Sequence, residues 1–203
     1  MDKGLLIVVS GPSGAGKGTI CKQLLDVEPD IMLSVSATTR APRKGEVEGK
    51  NYYFMTKQHF EELIAKDEFL EYAHVYGNYY GTPKRYVQEK TAQGKDVLLE
   101  IDIQGALQVK EKYPHGVFIF ILPPSMKELK QRIIHRGTES EAAIEQRFMA
   151  AFEEIDYVKK YDYCIINDDL GNAVDKVRAI IKAEKCKVTE DIEKIISRFK
   201  EEI

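Results

Sequence analysis

The stretch LLIVVSGPSGAGKGT, residues 5–19, joins an apolar run to a glycine-rich turn and a lysine. Residues 5–9 predict a buried strand, and the segment from Lys17 onward predicts a helix. Between them, residues 11–17 match G-x-x-x-x-G-K in the strand-loop-helix context that this motif requires. Such a loop surrounds an anion with backbone N–H groups, and its lysine reaches the outer phosphates of a nucleoside triphosphate. A glycine turn that only caps a helix is the alternative.

The rest of the chain continues this alternation of apolar runs with amphipathic segments. Strands are predicted at residues 5–10, 96–101, 117–122 and 163–167, and helices at residues 17–26, 103–112, 125–135 and 172–185. Right-handed crossovers between parallel strands place helices on both faces of a sheet. We therefore expect an α/β fold with a doubly wound parallel sheet of the P-loop NTPase type.

Residues 31–81 depart from this alternation and predict an inserted lobe. Aromatic, strand-like pieces at residues 51–54 and 69–80 surround a helix near residues 57–66. At the other end of the chain, an apolar stripe with helical spacing is expected to dock on the protein's own core. Its members are Val188, Ile192, Ile195, Ile196 and Phe199.

Composition favours a single domain that binds small molecules. The chain has 203 residues, 43% of them hydrophobic, and a formal net charge of -3, so it has no global positive field for nucleic acid or an anionic membrane. The apolar run at residues 5–9 is too short for a signal peptide or a membrane span, which predicts a cytoplasmic protein. Cys21, Cys164 and Cys186 are expected to be reduced and mostly buried, because their spacing fits neither zinc nor a disulfide framework.

A second basic segment, VSATTRAPRKGE at residues 35–46, suggests another anion site. Arg40 and Arg43 are three residues apart and can converge on one dianionic phosphate, with a phenol such as Tyr52 adding a hydrogen bond. Two arginines at this spacing are often only a solvated face. The pattern therefore leaves both interpretations open on its own.

Several motifs, taken together and in order, closely resemble the guanylate kinase family. They are GPSGAGKGT (11–19), SVSATTRAPR (34–43), GE (45–46), GKNY (49–52), GNYYGT (77–82) and IDIQG (101–105). The resemblance runs from about residue 5 to residue 185. It implies transfer of the γ-phosphoryl group of ATP to GMP, giving GDP and ADP, in purine nucleotide metabolism and GMP recycling. It further implies dGMP as an additional acceptor and Mg²⁺ as cofactor.

The resemblance also implies how the single domain, residues 1–203, is divided. The core is expected at residues 1–32, 84–125 and 157–203. A GMP-binding lobe is expected at residues 33–83, and a helical lid at residues 126–156. The sequence leaves a monomer and a homo-oligomer equally open.

Site residues follow from the match to the family's motifs. The residues expected to bind ATP are Gly11, Pro12, Ser13, Gly14, Ala15, Gly16, Lys17, Gly18, Thr19, Arg132 and Arg136. The residues expected to bind GMP are Ser36, Arg40, Arg43, Tyr52, Glu71, Tyr80, Gly81, Thr82 and Asp102. The residues expected to be catalytic are Lys17, Arg43, Arg136 and Arg147.

Recognition of guanine needs a carboxylate. Guanine presents its N1–H and N2–H₂ donors side by side, so one carboxylate accepts two parallel hydrogen bonds while hydroxyls donate to O6. Adenine lacks this pair of donors and would leave the buried carboxylate unpaired. The resemblance assigns the carboxylate to Glu71 and the hydroxyls to Ser36 and Thr82.

The metal site departs from the general pattern. Gly18 follows the lysine where P-loop proteins have Ser or Thr, whose hydroxyl binds Mg²⁺, and Thr19 comes one residue later. We therefore expect Mg²⁺ to keep more of its waters and to contact Asp102 indirectly, through water. Asp102 can also cap the helix that begins near residue 103.

Two other functions compete with this interpretation. Related domains of scaffold proteins bind partner peptides without catalysis, but they typically have damaged donor loops, whereas this chain keeps Lys17. A P-loop kinase acting on another small phosphate acceptor is the second alternative. The presence of Ser36, Glu71 and Thr82 argues against it.

Overall fold

The computed structural model describes residues 3–75, 77–135, 141–188 and 192–201. The strands are β1 (Leu6–Ser10), β2 (Met32–Leu33), β3 (Ala37–Thr38), β4 (Tyr53–Phe54), β5 (Phe69–Val75), β6 (Asn78–Pro83), β7 (Val97–Glu100), β8 (Val117–Leu122) and β9 (Tyr163–Ile166). The helices are α1 (Lys17–Val27), α2 (Lys57–Ala65), α3 (Lys84–Ala92), α4 (Ile103–Lys112), α5 (Met126–His135), α6 (Glu141–Glu154), α7 (Leu170–Glu184) and α8 (Ile192–Glu201). A 3₁₀ helix, Ile155–Lys160, follows α6.

A five-stranded parallel sheet forms the core, in the order β2-β7-β1-β8-β9. All five residues of β1 are buried, as expected for a central strand covered on both faces. The strand order reverses around β1, so the loops that follow β1 and β7 meet at the carboxyl edge of the sheet. Ligands of open α/β sheets bind at such an edge.

Alternate side chains of β1 enter two different apolar clusters. Ile7 and Val9 pack with residues of α1 and α7 on one face of the sheet. Leu6 and Val8 pack with residues of α3 and α4 on the other face. The predicted α/β fold, with helices on both faces of a parallel sheet, is confirmed.

The inserted segment forms a smaller, mixed sheet in the order β4-β3-β6-β5. Strand β3 pairs in parallel with β4, whereas β6 is antiparallel to both β3 and β5. This sheet has its own apolar centre, where Phe60 of α2 stacks on Phe69 at 4.3 Å and on Tyr79 at 5.2 Å between ring centroids. The lobe thus has a core separate from that of the large sheet.

Three details of the sequence-based description were wrong. The aromatic piece at residues 69–80 is a hairpin of two strands, because Gly77, with a φ of 81°, allows the chain to turn. Helix α3 was not predicted. Leu33 pairs with Leu98 in the core sheet, although residue 33 was expected to begin the lobe, because β2 continues in register beside β7.

Helices α5 and α6, which pack against each other, make up the helical part expected to be a lid. Leu129 and Ile133 of α5 pack with Ala151 of α6, and Lys130 Nζ lies 2.9 Å from Glu145 Oε2. Residues 136–140, with the predicted Arg136, lie outside the described residues.

Two expectations about burial were also wrong in part. Cys21 is buried, but Cys164 on the edge strand β9 and Cys186 beyond α7 are exposed. In the C-terminal stripe, Val188 is 79% exposed and Phe199 is 61% exposed, so these two side chains do not dock on the core. Among the helices that the structure describes, none is both long and apolar enough to span a membrane.

Candidate functional site

The phosphate loop, residues 11–17, lies between β1 and α1. Gly11 has a φ of 142°, and a Cβ at this residue would lie 2.3 Å from the carbonyl oxygen of Ile121. Gly16 has a φ of 96°, and a Cβ there would lie 2.3 Å from Nδ2 of Asn167. Both positions therefore require glycine for backbone conformation and for space. The loop is held tightly against the ends of β8 and β9.

Two side chains from outside the phosphate loop fix its position near Ala15. Asn167 is buried, and its Nδ2 donates to the carbonyl oxygen of Ala15 at 2.8 Å. Arg132 of α5 donates from Nη2 to the carbonyl oxygen of Asn167 at 3.3 Å and from Nε to Glu128 at 3.2 Å. Sequence reasoning found Arg132 but missed Asn167, whose signal is its position directly after the apolar strand at residues 163–166.

A cavity of about 320 Å³ opens beside this loop. Its lining includes Gly14, Gly16, Thr19, Arg132 and Asn167. Four of these five residues were predicted to bind the triphosphate. The cavity gives that part of the loop an open side on which a ligand can lie.

Lys17 bends back over the loop that it follows. Its Nζ donates to the carbonyl oxygens of Gly11 at 2.5 Å and Pro12 at 3.1 Å. Burial lowers the pKa of Lys17, and the nearby carboxylates of Glu100 and Glu154 oppose this effect. The ammonium group thus lies at the centre of the phosphate loop, within reach of two acids.

The predicted lid contacts the same loop through two residues of α6. Arg147 donates from Nη2 to Oγ of Ser13 at 2.7 Å. The carboxylate of Glu154 accepts from the backbone N–H of Ser13, and burial raises the pKa of Glu154. Arg147 was predicted, whereas Glu154 was missed because nothing in its local sequence distinguishes it from Glu153 beside it.

The basic segment forms a second group of contacts, centred on Glu46. Arg40 donates from Nη2 to Oε1 of Glu46 at 2.8 Å and to Oε2 at 3.0 Å. The backbone N–H of Arg43 donates to the same Oε2 at 2.7 Å, and the side chain of Arg43 is exposed. The guanidinium of Arg40 and the backbone of Arg43 thus share one carboxylate, whereas convergence of the two side chains on a phosphate stays a prediction. Glu46 lies in the quoted GE motif but was given no role from sequence.

Two tyrosines flank Arg40. Its Cζ lies 5.4 Å from the ring centroid of Tyr52, and its guanidinium donates to the hydroxyl of Tyr80. The rings of Tyr52 and Tyr80 meet edge to face at 6.0 Å. Burial raises the pKa of Tyr52, so its hydroxyl stays protonated and available as a donor at neutral pH. Both predicted tyrosines thus lie at the arginine cluster.

Glu71 and Thr82 face each other across strands β5 and β6. Glu71 is 3% exposed and Thr82 is fully buried, and the Thr82 hydroxyl donates to Oε1 of Glu71 at 2.6 Å. Burial raises the pKa of Glu71 to about 7, against the hydrogen bond from Thr82. The neighbouring Gly81 of β6 pairs with Ala37 of β3, so Ser36, which directly precedes β3, lies at the start of the strand beside Gly81.

Asp102 stands between the two halves of the site. It is the N-cap of α4, where its Oδ1 accepts from the N–H of Gly105 at 2.9 Å. Its charge also acts on Lys17, where it raises the pKa, and on Glu71, where it does the same. Asp102 therefore caps a helix and lies close to both predicted ligand groups.

Acidic side chains near Lys17 bear on metal binding. A Cβ on Gly18 would lie 3.1 Å from Oε1 of Glu100, so the carboxylate of Glu100 lies next to the position where P-loop proteins have a Ser or Thr side chain. Among the residues that the structure describes, no three His, Cys, Asp or Glu side chains come together as a metal site. These donors fit a cation that is held mostly by phosphate oxygens and water.

Comparisons with known proteins agree with this geometry. A family model described as "Guanylate kinase" matches residues 3–184. The chain is 64% identical over 186 residues to the guanylate kinase of Caldanaerobacter subterraneus subsp. tengcongensis, covering 92% of this chain and 90% of the relative. It is 60% identical over 203 residues to that of Clostridioides difficile, covering 100% of this chain and 99% of the relative.

A solved structure shares the fold as well. The crystal structure of guanylate kinase from Anaplasma phagocytophilum matches with a TM-score of 0.82 and 37% sequence identity. The match covers 98% of this chain and 97% of that one. The similarity in sequence and in fold therefore extends over both sheets and the helices that connect them.

Proposed function

The chain belongs to the guanylate kinase family, and from this premise we propose that it transfers the γ-phosphoryl group of ATP to GMP, giving ADP and GDP. The observation that carries the proposal is the buried carboxylate of Glu71, which accepts a hydrogen bond from the Thr82 hydroxyl at 2.6 Å. Thr82 shares strand β6 with Tyr80, the partner of Arg40. A carboxylate so placed accepts the paired donors of guanine. We propose dGMP as a second acceptor.

On the donor side, we assign the phosphates of ATP to the phosphate loop at residues 11–19. Its backbone N–H groups and the start of α1 attract negative charge. Lys17 would exchange the carbonyl oxygens of Gly11 and Pro12 for phosphate oxygens, which are stronger partners for an ammonium group. Arg132 lies beside the cavity that would take the nucleoside.

On the acceptor side, we assign the phosphate of GMP to Arg40, Arg43, Tyr52 and Tyr80. Arg40 donates to both carboxylate oxygens of Glu46, and the backbone N–H of Arg43 donates to one of them. This carboxylate marks where an anion is stabilised. Ser36, Gly81, Thr82 and Asp102 are assigned to the guanine side with Glu71.

We propose Mg²⁺ as the cofactor, bound with ATP. Asp102 would contact it through water, and Glu100, which was not predicted from sequence, lies close enough to Gly18 to take part. The ion would neutralise charge on the phosphate oxygens.

Catalysis by these residues is positioning plus neutralisation of charge. GMP arrives with a phosphate oxygen as nucleophile, so no side chain has to remove a proton from it. Lys17, Arg43 and Arg147 would stabilise the negative charge on the transferred group, and Arg136, outside the described residues, is proposed to join them. Closure of the lobe, residues 33–83, and the lid, residues 126–156, would exclude water and so prevent hydrolysis of ATP.

The test is a coupled assay of ADP release with ATP and each nucleoside monophosphate in turn. We expect rapid release with GMP, slower release with dGMP, and release with AMP, CMP or UMP near the background without acceptor. Omission of Mg²⁺ is expected to abolish the reaction. Release of ADP at the same rate with and without GMP would refute the proposal, and so would binding of GMP without any ADP release.

The cellular setting and assembly stay predictions. We propose a cytoplasmic enzyme, where ATP and GMP are both supplied. A monomer and a homo-oligomer both remain open, and sedimentation of the purified protein with and without nucleotides distinguishes them.

A further inference from the structure

The backbone conformation at residue 105 does not require a glycine. It lies in the first turn of α4, is buried, and does not have a positive φ. Glycine is among the least favourable residues inside a helix, because it loses the most backbone freedom on folding. An alanine would suit the backbone better, so the reason for glycine must be found in what surrounds it.

The surrounding group is the carboxylate of Glu71. A Cβ on Gly105 would lie 2.4 Å from Oε2, 2.9 Å from Cδ and 3.5 Å from Cγ of Glu71. The carboxyl end of Glu71 therefore packs directly against the bare backbone of α4. Ordinary contact begins at 3.4 Å, so a methyl group here would require a displacement of about 1 Å.

Neither partner is free to move by that amount. Oε1 of Glu71 is held by the buried Thr82 hydroxyl at 2.6 Å, within the paired strands β5 and β6. The N–H of Gly105 is held by Oδ1 of Asp102 at 2.9 Å. A side chain at residue 105 would therefore break the bond to Thr82, rotate the carboxylate or shift the start of α4.

From this geometry we infer that Gly105 is a positioning residue for base recognition, which acts by leaving the space that the Glu71 carboxylate occupies. The inference rests on the proposed function, in which Glu71 accepts two donors of guanine. Two parallel hydrogen bonds require the carboxylate to face the base edge at the correct distance and angle, because hydrogen bonds weaken steeply when they are misaligned. Gly105 thus determines specificity without contacting the substrate.

The test compares GMP with IMP, which lacks the 2-amino group but keeps the ring N1–H and the phosphate. Dissociation constants of both ligands are measured by titration calorimetry for the wild type and for Gly105→Ala. We expect the preference for GMP over IMP to fall at least about tenfold in Gly105→Ala, since one hydrogen bond to a charged group is lost. The KM for ATP is expected to stay within about twofold, because the phosphate loop is not touched.

A matched control makes the same substitution elsewhere. Gly171 lies in the first turn of α7, and a Cβ there would lie 3.3 Å from its nearest neighbour, Oδ1 of Asp169. Gly171→Ala is expected to leave the preference for GMP over IMP unchanged. An equal loss of preference in both variants would overturn the inference, because it would show an effect of helix packing in general.

A second variant separates the contact from a general folding defect. Glu71→Asp shortens the side chain by one methylene, so the double variant Glu71→Asp/Gly105→Ala makes room for the new methyl group. We expect Gly105→Ala to destabilise the ligand-free protein less in the Glu71→Asp background than in the wild type, as measured by thermal unfolding. Equal destabilisation in the two backgrounds would overturn the inference, even if Gly105→Ala alone is too unstable for binding studies.

Glu71→Gln distinguishes failure of this inference from failure of the proposed function. If Glu71→Gln leaves the preference for GMP over IMP unchanged, Glu71 does not read the base and the assignment on which the inference rests is refuted. If Glu71→Gln lowers the preference and Gly105→Ala does not, only the role of Gly105 is refuted. A loss of preference in both variants, with none in Gly171→Ala, supports the inference.

Discussion

Binding of GMP is expected to weaken as the pH falls below about 7, because Glu71 must be ionised to accept two donors. Burial of Glu71 raises its pKa to about 7 and the charge of Asp102 adds to this effect, whereas the hydroxyl and the backbone N–H of Thr82, together with Lys112, oppose it. A protonated carboxyl group carries an O–H that can face the donors of guanine, so the neutral form binds the base poorly. The affinity therefore follows the ionised fraction of Glu71.

The size of the effect follows from this pKa. With a pKa of about 7, Glu71 is about 90% ionised at pH 8 and about 25% ionised at pH 6.5, so its share of the loss in affinity is about fourfold. The phosphate of GMP has its second pKa near about 6 and adds a factor of about 1.3 over the same range. The dissociation constant for GMP should thus rise about fivefold from pH 8 to pH 6.5.

Glu71→Gln supplies the control, because the amide does not titrate. Its affinity for GMP should be lower at every pH and should change only about 1.3-fold between pH 8 and pH 6.5, which is the part that belongs to the phosphate. Titration calorimetry in two buffers of different ionisation enthalpy also counts protons. At pH 7 the wild type should release about half a proton more than Glu71→Gln on binding GMP.

The reasoning fails if both proteins show the same change in affinity with pH. It also fails if binding of GMP to the wild type takes up protons instead of releasing them. Either result would mean that Glu71 is already ionised before GMP binds, or that it binds the base in its neutral form.

The remaining predictions concern other groups of the site. Lys17→Ala should lower the rate of ADP release at least about 100-fold and leave the affinity for GMP unchanged. The control variant Lys22→Ala, on the exposed side of the same helix, should keep the normal rate. Normal turnover in Lys17→Ala would contradict the assignment. Thr82→Val removes the hydroxyl that donates to the buried carboxylate of Glu71 at 2.6 Å. Denaturant unfolding should show that the free energy of unfolding falls by about 1–3 kcal/mol. Unchanged stability would show that another donor replaces the hydroxyl. Asp102→Ala removes the N-cap of α4, so the free energy of unfolding should fall by about 1 kcal/mol. The KM for GMP should rise in the same variant. A change in KM with no change in stability would show that Asp102 does not act as a helix cap.

The core was predictable because its signals are local. The alternation of short apolar runs with amphipathic segments gave strands β1, β7, β8 and β9 within one or two residues of their bounds. Strands β1, β7 and β8 are buried for most of their length, and such strands read as continuous apolar runs. Strand β9, at the edge of the sheet, is buried only at Ile165 but has the same kind of apolar run. The phosphate loop was predictable for the same reason, since strand, glycines and lysine are consecutive.

The lobe was harder because its strands are short and its partners are distant. Strands β2, β3 and β4 have two residues each, too few to show a period of two. Helix α3 is polar around most of its circumference, and only Val87 and Thr91 are buried in it. Tertiary contacts, not local pattern, decide the conformation of these segments.

Some residues of the site could be predicted from nearby sequence, whereas others depend on contacts between distant parts of the chain. Arg40 and Arg43 are near each other in sequence, so a shared partner was foreseeable, but its identity as the Glu46 carboxylate depends on how the loop folds back. The burial of Glu71 was not predictable, since its local sequence, FLEY, could equally belong to an exposed strand. Glu154 and Asn167 reach the phosphate loop from parts of the chain more than 130 residues away, and no spacing rule connects them to it.

The hydrogen bonds from Lys17 to the carbonyl oxygens of Gly11 and Pro12 affect the free energy of nucleotide binding. They hold the loop in its curved form through the protein's own contacts, so the conformational entropy of those residues is lost when the chain folds. An incoming nucleotide then meets a preorganised cradle and has only to exchange one set of oxygens for another. We therefore expect that little of the binding free energy of a nucleotide is spent on shaping the loop.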